Sequence, residues 1–289
     1  MPRQLRRAAS ACFVSAAVLA TPSRASDEDL DVHVFAFERE RPASPAAVEA
    51  TRADYARRFG SLGPAVVAAL RPASEVLPMI VAAVHPFKPL PTVPDWRRRQ
   101  RLGTSLAVYA DIAGGDRERF ETFVAAARRI VADGSTALRS PEATSRWFDA
   151  TADVMLANVR AVEAAAGNPR APALDALLTD VEVLAHLARF HAHRILGAVH
   201  YNLFTRSLKL GELYAATLEE RQAVAAWRQL VSAVGERHVA GLGARRFGLA
   251  GSWRDELTLL ETGLKDLEAQ CCPPDDATLK QSIWSPLPR

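Results

Sequence analysis

The sequence predicts an all-α fold: an antiparallel multi-helix bundle or array of seven or eight helices around one long central helix, at about 175–208. Three observations carry the prediction. In that stretch apolar residues recur at Leu177, Val181, Leu184, Ala188, Ala192, Ile195, Val199 and Leu203. Steps of three and four keep them on one face of a helix, and no Pro or glycine pair interrupts them. The composition is 49% hydrophobic but only 7% aromatic, and it is dominated by Ala, Leu, Arg and Glu, a mixture that favours helix over sheet. The remaining helical patterns are joined by short connections marked by Gly, Pro, Asp and Ser, as in antiparallel helical arrays.

Residues 1–25 have the layout of a secretory signal peptide. Arg3, Arg6 and Arg7 precede an apolar run from Ala8 to Ala20, Pro22 follows, and Ser23 and Ala25 stand three and one residues before a cleavage point. The apolar run is too short to span a bilayer, and no later stretch reaches the roughly 20 unbroken apolar residues of a stable membrane span. A secreted or periplasmic location follows as an expectation. Cleavage would remove four arginines and no acid, turning the formal net charge of +3 into −1. The basic character therefore belongs to the leader, and nucleic acid is not an expected partner. Of the three cysteines, Cys271 and Cys272 would remain. Adjacent cysteines bridge each other only through a strained ring, so free thiols or an intermolecular bond are expected, and the fold must stand on its core.

Residues 26–44 form an extended N-terminal segment. Within it Val32 to Phe37 alternates like a strand but has no evident partner. A helical domain covers 45–270. Ser44-Pro45 opens its first helix, which Gly60 ends. The second starts near Pro64 and runs to Val84, and Pro72 and Pro78 should break or kink it. His85 to Trp96 holds four prolines and reads as an extended loop, followed by the solvated cluster Arg97, Arg98, Arg99 and Arg101. Asp116 is expected to cap a helix from Arg117 to Ala132, and Ser140-Pro141-Glu142 to start one reaching Ala166. After the central helix, Thr217 with Glu220 reads as a capping box opening a helix through Trp227. Gly241 to Gly251 is a glycine-bearing loop, and Ser252 caps a last helix through Leu267. Residues 271–289 form a Pro-rich tail, expected to be disordered or loosely attached.

For chemistry, histidine is the informative residue type. His186, His193 and His200 are seven apart and share one stripe of the central helix. Seven residues rise about 10.5 Å, so no two of them chelate one metal without ligands from other helices. No metal site and no cofactor are therefore expected. These histidines with Tyr201 are the candidate lining of a ligand groove, and the alternative is a helix interface with satisfied ring nitrogens. Asp180, His191 and His193 are the candidate acid–base residues of an enzyme using a cleft between helices. Asp180 and Glu182 point to different faces and read as acids of the helix N-terminal turn or as hydrogen-bond partners to a neighbouring helix. No nucleophile elbow, HExxH or dinucleotide fingerprint is present.

Three blocks carry a family resemblance: RPASEVLPMIVAAVHP (Arg71 to Pro86), DVEVLAHLARFHAHRILGAVHYNLF (Asp180 to Phe204) and GSWRDELTLLETGLKDLEA (Gly251 to Ala269). In order and rough spacing they resemble the helical region that follows a glycoside-hydrolase-like barrel in large secreted bacterial proteins, mostly hypothetical. The similarity covers about residues 45–270. The sequence contains no barrel, where the catalytic carboxylates of such enzymes are expected. The resemblance thus implies an accessory or truncated form without hydrolase activity of its own, and no catalytic residue carries over. It implies a glycan or a barrel-type glycoside-hydrolase-like protein as partner. A small-molecule enzyme with a His/Asp site, or a periplasmic structural protein, is the alternative.

Overall fold

The computed structural model describes residues 45–84, 105–112, 114–235 and 253–271. Among these, eight α-helices and one 3₁₀ turn account for the regular structure, with a single isolated β-bridge between Phe120 and Arg139. The all-α reading holds. The expected leader, the extended segment with Val32 to Phe37, the proline loop with its arginines, the glycine loop, the Ser252 cap and the tail with Cys272 lie outside the described residues.

Helix α1 (Pro45–Phe59) ends where Gly60 takes φ +57°, a left-handed conformation that only glycine adopts without cost. One 3₁₀ turn later, α2 (Gly63–Val84) doubles back so closely that a Cβ on Gly63 would lie 2.7 Å from the Ala56 backbone. Glycine is required there because the chain itself fills the space. The stretch Val48–Val84 is long and apolar enough to match a membrane span. Much of that apolarity is turned into the bundle: Val66, Leu70, Val76, Met79 and Val84 are all buried.

Of the expected break or kink at Pro72 and Pro78, the break does not occur, and α2 runs through both. A proline inside a helix leaves the carbonyl four residues earlier without its N–H partner. For Pro72 that carbonyl is Ala68, and the Asn158 side chain donates to it from a neighbouring helix at 2.9 Å. The lost helical bond is replaced by a tertiary one, so the helix continues.

Two short helices follow, α3 (Leu106–Ala110) and α4 (Phe123–Val131). The expected cap at Asp116 is corrected. Residues 117–119 form a turn, and the N-cap is Thr122, whose hydroxyl accepts from Ala125 N–H at 3.2 Å. The Phe120–Arg139 bridge occupies the chain that a longer helix would have used. Helix α5 (Pro141–Ala166) starts at its expected Ser140 cap, with Pro141 in the first turn.

Helix α6 (Pro172–Ser207) is the long central rod. It touches α2, α3, α4, α5 and α7. The sequence reading of one apolar face is too narrow. Val183, Leu187, Phe190, His191, Arg194 and Ala198 are buried in addition to the predicted stripe, whereas Leu177 is only half-buried. A rod with neighbours on every side buries its charged and polar residues too. Leu208 ends it in the left-handed region at φ 55°, and α7 (Leu210–Val234) starts two residues later. Thr217 is therefore not a cap but mid-helix, buried, its hydroxyl donating to Leu213 C=O at 2.8 Å.

Cross-helix pairs give the directions. Ser145 of α5 donates to Ala192 C=O of α6 at 2.8 Å, and Arg189 of α6 pairs with Asp153 of α5, so the two run antiparallel. His200 with Glu212 and His193 with Glu219 show the same for α6 and α7. Helix α8 (Trp253–Cys271) packs on α7.

Asn158→Ala should lower stability to urea unfolding by about 1 kcal/mol, the net worth of one such bond. In a Pro72→Ala background the backbone N–H returns, so the same substitution should cost clearly less. Equal costs in both backgrounds would contradict the compensation.

Candidate functional site

Where α3, α5, α6 and α7 meet, the polar residues Tyr109, His191, Arg194 and Glu220 stand inside the apolar core. The helical period places His191, Arg194 and Ile195 on the inner side of α6. On α7 it puts Glu220 on the stripe of Leu213 and Trp227, seven residues to either side. Tyr109 comes from the short α3, whose Ala110 C=O accepts from Asn202 of α6 at 2.9 Å.

The Tyr109 hydroxyl and His191 Nδ1 are 3.0 Å apart, and the two rings stack at 6.1 Å. Arg194 pairs with Glu220 Oε1 at 3.2 Å, with side-chain exposures of 0% and 2%. Its guanidinium lies over the Tyr109 ring at 4.8 Å and the Phe190 ring at 5.3 Å, two cation–π contacts in a dry setting. Phe190 meets Trp227 edge-on at 4.8 Å, and the Trp227 indole donates to Trp253 C=O at 2.9 Å, tying α8 to the same centre.

Burial governs the titration here. Desolvation pushes His191 down to about 3, with the Arg194 charge adding to it. The same burial holds the Tyr109 phenol well above its ordinary range. It also raises Glu220 against the opposing pull of Arg194. His191 is thus a neutral imidazole, and its Nε2 is buried without a hydrogen-bond partner among the described residues.

The other sequence candidates lie elsewhere. Asp180 is eleven residues from His191 on the same rod, about 16 Å along the axis, so the two do not share a site. It is also not a first-turn acid, since α6 begins at Pro172 and Asp175 takes that place, paired with Arg170 at 2.8 Å. His193 points away from His191, toward α7, where Nδ1 meets Glu219 Oε2 at 2.9 Å. His200 repeats the arrangement with Glu212 at 2.8 Å. Two of the three stripe histidines, His193 and His200, thus meet glutamates of α7. His186 stands apart from those pairs: burial and then Arg189 push it down to about 4. Tyr201 is half-buried and packs against Phe204 at 6.4 Å.

Reading the sequence missed Arg194 and Glu220. A signal was there: each is a charged residue at an inward position, Glu220 midway between Leu213 and Trp227. Among the described residues, no three His, Cys, Asp or Glu side chains converge as metal ligands.

A second cluster joins α4 and α5. Arg129 reaches Glu121 and Glu142, each at 3.0 Å. Two carboxylates so close suggest acid–base chemistry, but the electrostatics oppose it. Burial works against the charge on Glu142, yet hydrogen bonds from Ser140 and Arg129 outweigh it and hold the carboxyl below its usual range. A general acid needs the opposite shift. The recess beside Glu121, lined by Phe120, Phe123, Thr144 and Ile195, has a volume of about 10 Å³, room for one water and not a sugar ring.

No protein-family model and no curated protein sequence matches the chain. Five chains of known structure match its fold. One is a GH138 enzyme targeting pectin rhamnogalacturonan II, with a TM-score of 0.63 at 12% identity. The match covers 80% of this chain and 35% of that enzyme's length. At this identity the likeness is one of fold: this helical array is built like part of a glycoside hydrolase.

Two outcomes test the buried network. Arg194→Leu alone should cost about 3–5 kcal/mol in urea unfolding, because it leaves the Glu220 charge unpaired, while Arg194→Met with Glu220→Leu should recover most of the loss. A double variant as unstable as the single one would refute the desolvation argument. The second concerns pH. His191 binds its proton only near 3 in the folded state but at its ordinary value when unfolded. Its share of stability is complete above pH 6.5 and is lost as pH falls toward 3, by up to about 1.4 kcal/mol per pH unit. His191→Gln should therefore flatten the stability profile relative to the native chain across that window.

Proposed function

We propose that this protein is a secreted, non-catalytic helical module of glycan handling, an accessory or truncated form related to glycoside-hydrolase-like proteins. It acts by binding a glycan or by packing on a barrel-type partner. The observation that carries the reading is the fold it shares, over 80% of its length, with part of an enzyme that targets pectin rhamnogalacturonan II. The three blocks at Arg71–Pro86, Asp180–Phe204 and Gly251–Ala269 support the same relation, and the layout of residues 1–25 supports export.

The state of the polar side chains supports binding over catalysis. Glycoside hydrolysis pairs one carboxyl kept protonated with a second kept charged, flanking a space that admits the sugar. Glu220 is sealed in the core with Arg194, and Glu121 and Glu142 are both held by Arg129. His191, the best-placed imidazole for acid–base work, is 1% exposed and out of a substrate's reach.

The purified chain should be retarded in gels containing pectic polysaccharide, or be captured by a barrel-type glycoside-hydrolase-like protein encoded beside it. In either case no reducing ends should be released from the polysaccharide. Release of sugar would overturn the non-catalytic reading. Failure of both retardation and capture would overturn the glycan association.

A further inference from the structure

Among the described residues α3 is the shortest α-helix, five residues from Leu106 to Ala110. A helix of that length has no stability of its own in water. It is held by the buried side chains of Leu106, Tyr109 and Ala110, and by the bond that Asn202 of α6 donates to Ala110 C=O at 2.9 Å. Ala107 and Val108 are exposed, and its first turn has no side-chain cap. Opening such a segment locally costs less than unfolding the bundle. What α3 covers is the polar centre. Its Tyr109 ring stacks on His191 and also lies under the Arg194 guanidinium.

A proton is what the covered imidazole is least able to accept. A protonated imidazole donates from both nitrogens. Nδ1 of His191 has the Tyr109 hydroxyl at 3.0 Å, but Nε2 is buried with no hydrogen-bond partner among the described residues. The new charge would also form beside Arg194, on the same inner side of α6. Around the ring stand Tyr109 of α3, Phe148 of α5 and Phe190 of α6, with Phe123 of α4 stacked on Tyr109. The acid of this cluster, Glu220 of α7, is paired with Arg194.

We infer that α3 is an acid-released cover: when His191 takes up a proton, α3 undocks from α6 and opens the Tyr109–His191–Arg194 cluster to water while the longer helices stay packed. In the closed form burial, with Arg194 adding to it, holds His191 down to about 3, and contact with water returns it to its ordinary 6.5. Above pH 6.5 neither form carries the proton, and the cover stays shut. Between 6.5 and about 3 the open form binds one proton more, so its population rises about tenfold for each pH unit lost. Glu220 pulls the other way. Burial raises it in the closed form, so its own titration favours closure as pH falls. A variant without the imidazole separates the two contributions.

Amide hydrogen exchange of the full chain, followed by mass spectrometry from about pH 7 to about pH 4 and corrected for the intrinsic pH dependence of exchange, is the test. Protection over residues 106–110 should fall with acid well before protection around Val159, a buried residue of α5. Relative to His191→Gln, protection of 106–110 in the native chain should fall about tenfold further for each pH unit below 6.5. Loss in step over both segments would overturn the inference, since the whole bundle would then be unfolding. Equal slopes in the native chain and the variant would overturn it as well, since the proton would then act elsewhere. The first comparison uses the native chain alone and decides without the variant.

Discussion

The bundle depends on a charge that it hides. Arg194 sits at the middle of α6 with no exposed side-chain surface, held by Glu220 and layered between the rings of Tyr109 and Phe190. Taking a guanidinium and a carboxylate out of water costs several kcal/mol each, and their attraction offsets this only when both are well coordinated. The arrangement therefore demands that α3, α6 and α7 meet in one register. A slip of α7 by one residue would turn Glu220 away and leave the arginine alone in the core. Apolar packing gives this helical array most of its stability, but it is tolerant of register. The geometry of an ion pair is more exacting, and in the same arrangement Trp227 also reaches Trp253 of α8.

The same exchange of local for tertiary bonding recurs along the chain. Pro72 forfeits a hydrogen bond within α2, and Asn158 of α5 restores it. Gly63 gives up a side chain so that α2 can fold back against Ala56. Two histidines on one stripe of α6 find two glutamates on one stripe of α7. Each device joins neighbours in the array, and each lies on the flank of a helix that the central rod already packs.

Two of the groups that sequence inspection marks as reactive, His191 and His193, contact side chains of neighbouring helices. His191 is neutral and enclosed, and Arg129 of α4 pairs with both Glu121 and Glu142. The fold is like part of a glycan-targeting enzyme, over 35% of that enzyme's length.

Much of the architecture was legible in the residues alone. The period of three and four, the Ser140-Pro141 start, the Gly60 stop and the uninterrupted run of the central rod are local signals, and local hydrogen bonding makes them binding. Where the chain departed from its local signals, a distant partner was responsible. At Pro72 the carbonyl that loses its helical partner is bonded by Asn158, 86 residues away. Thr217 and Glu220 look like a cap, but the helix had begun at Leu210, and Glu220 belongs to Arg194. For the candidate site the division is sharper. Sequence determined that the histidines share stripes and that His191 and His193 face apart, because helix geometry alone decides that. Only the tertiary structure decided that His191 is sealed beside Tyr109 and that His193 and His200 carry glutamate partners. Burial and pairing are properties of what surrounds a side chain, and no single helix contains its own surroundings.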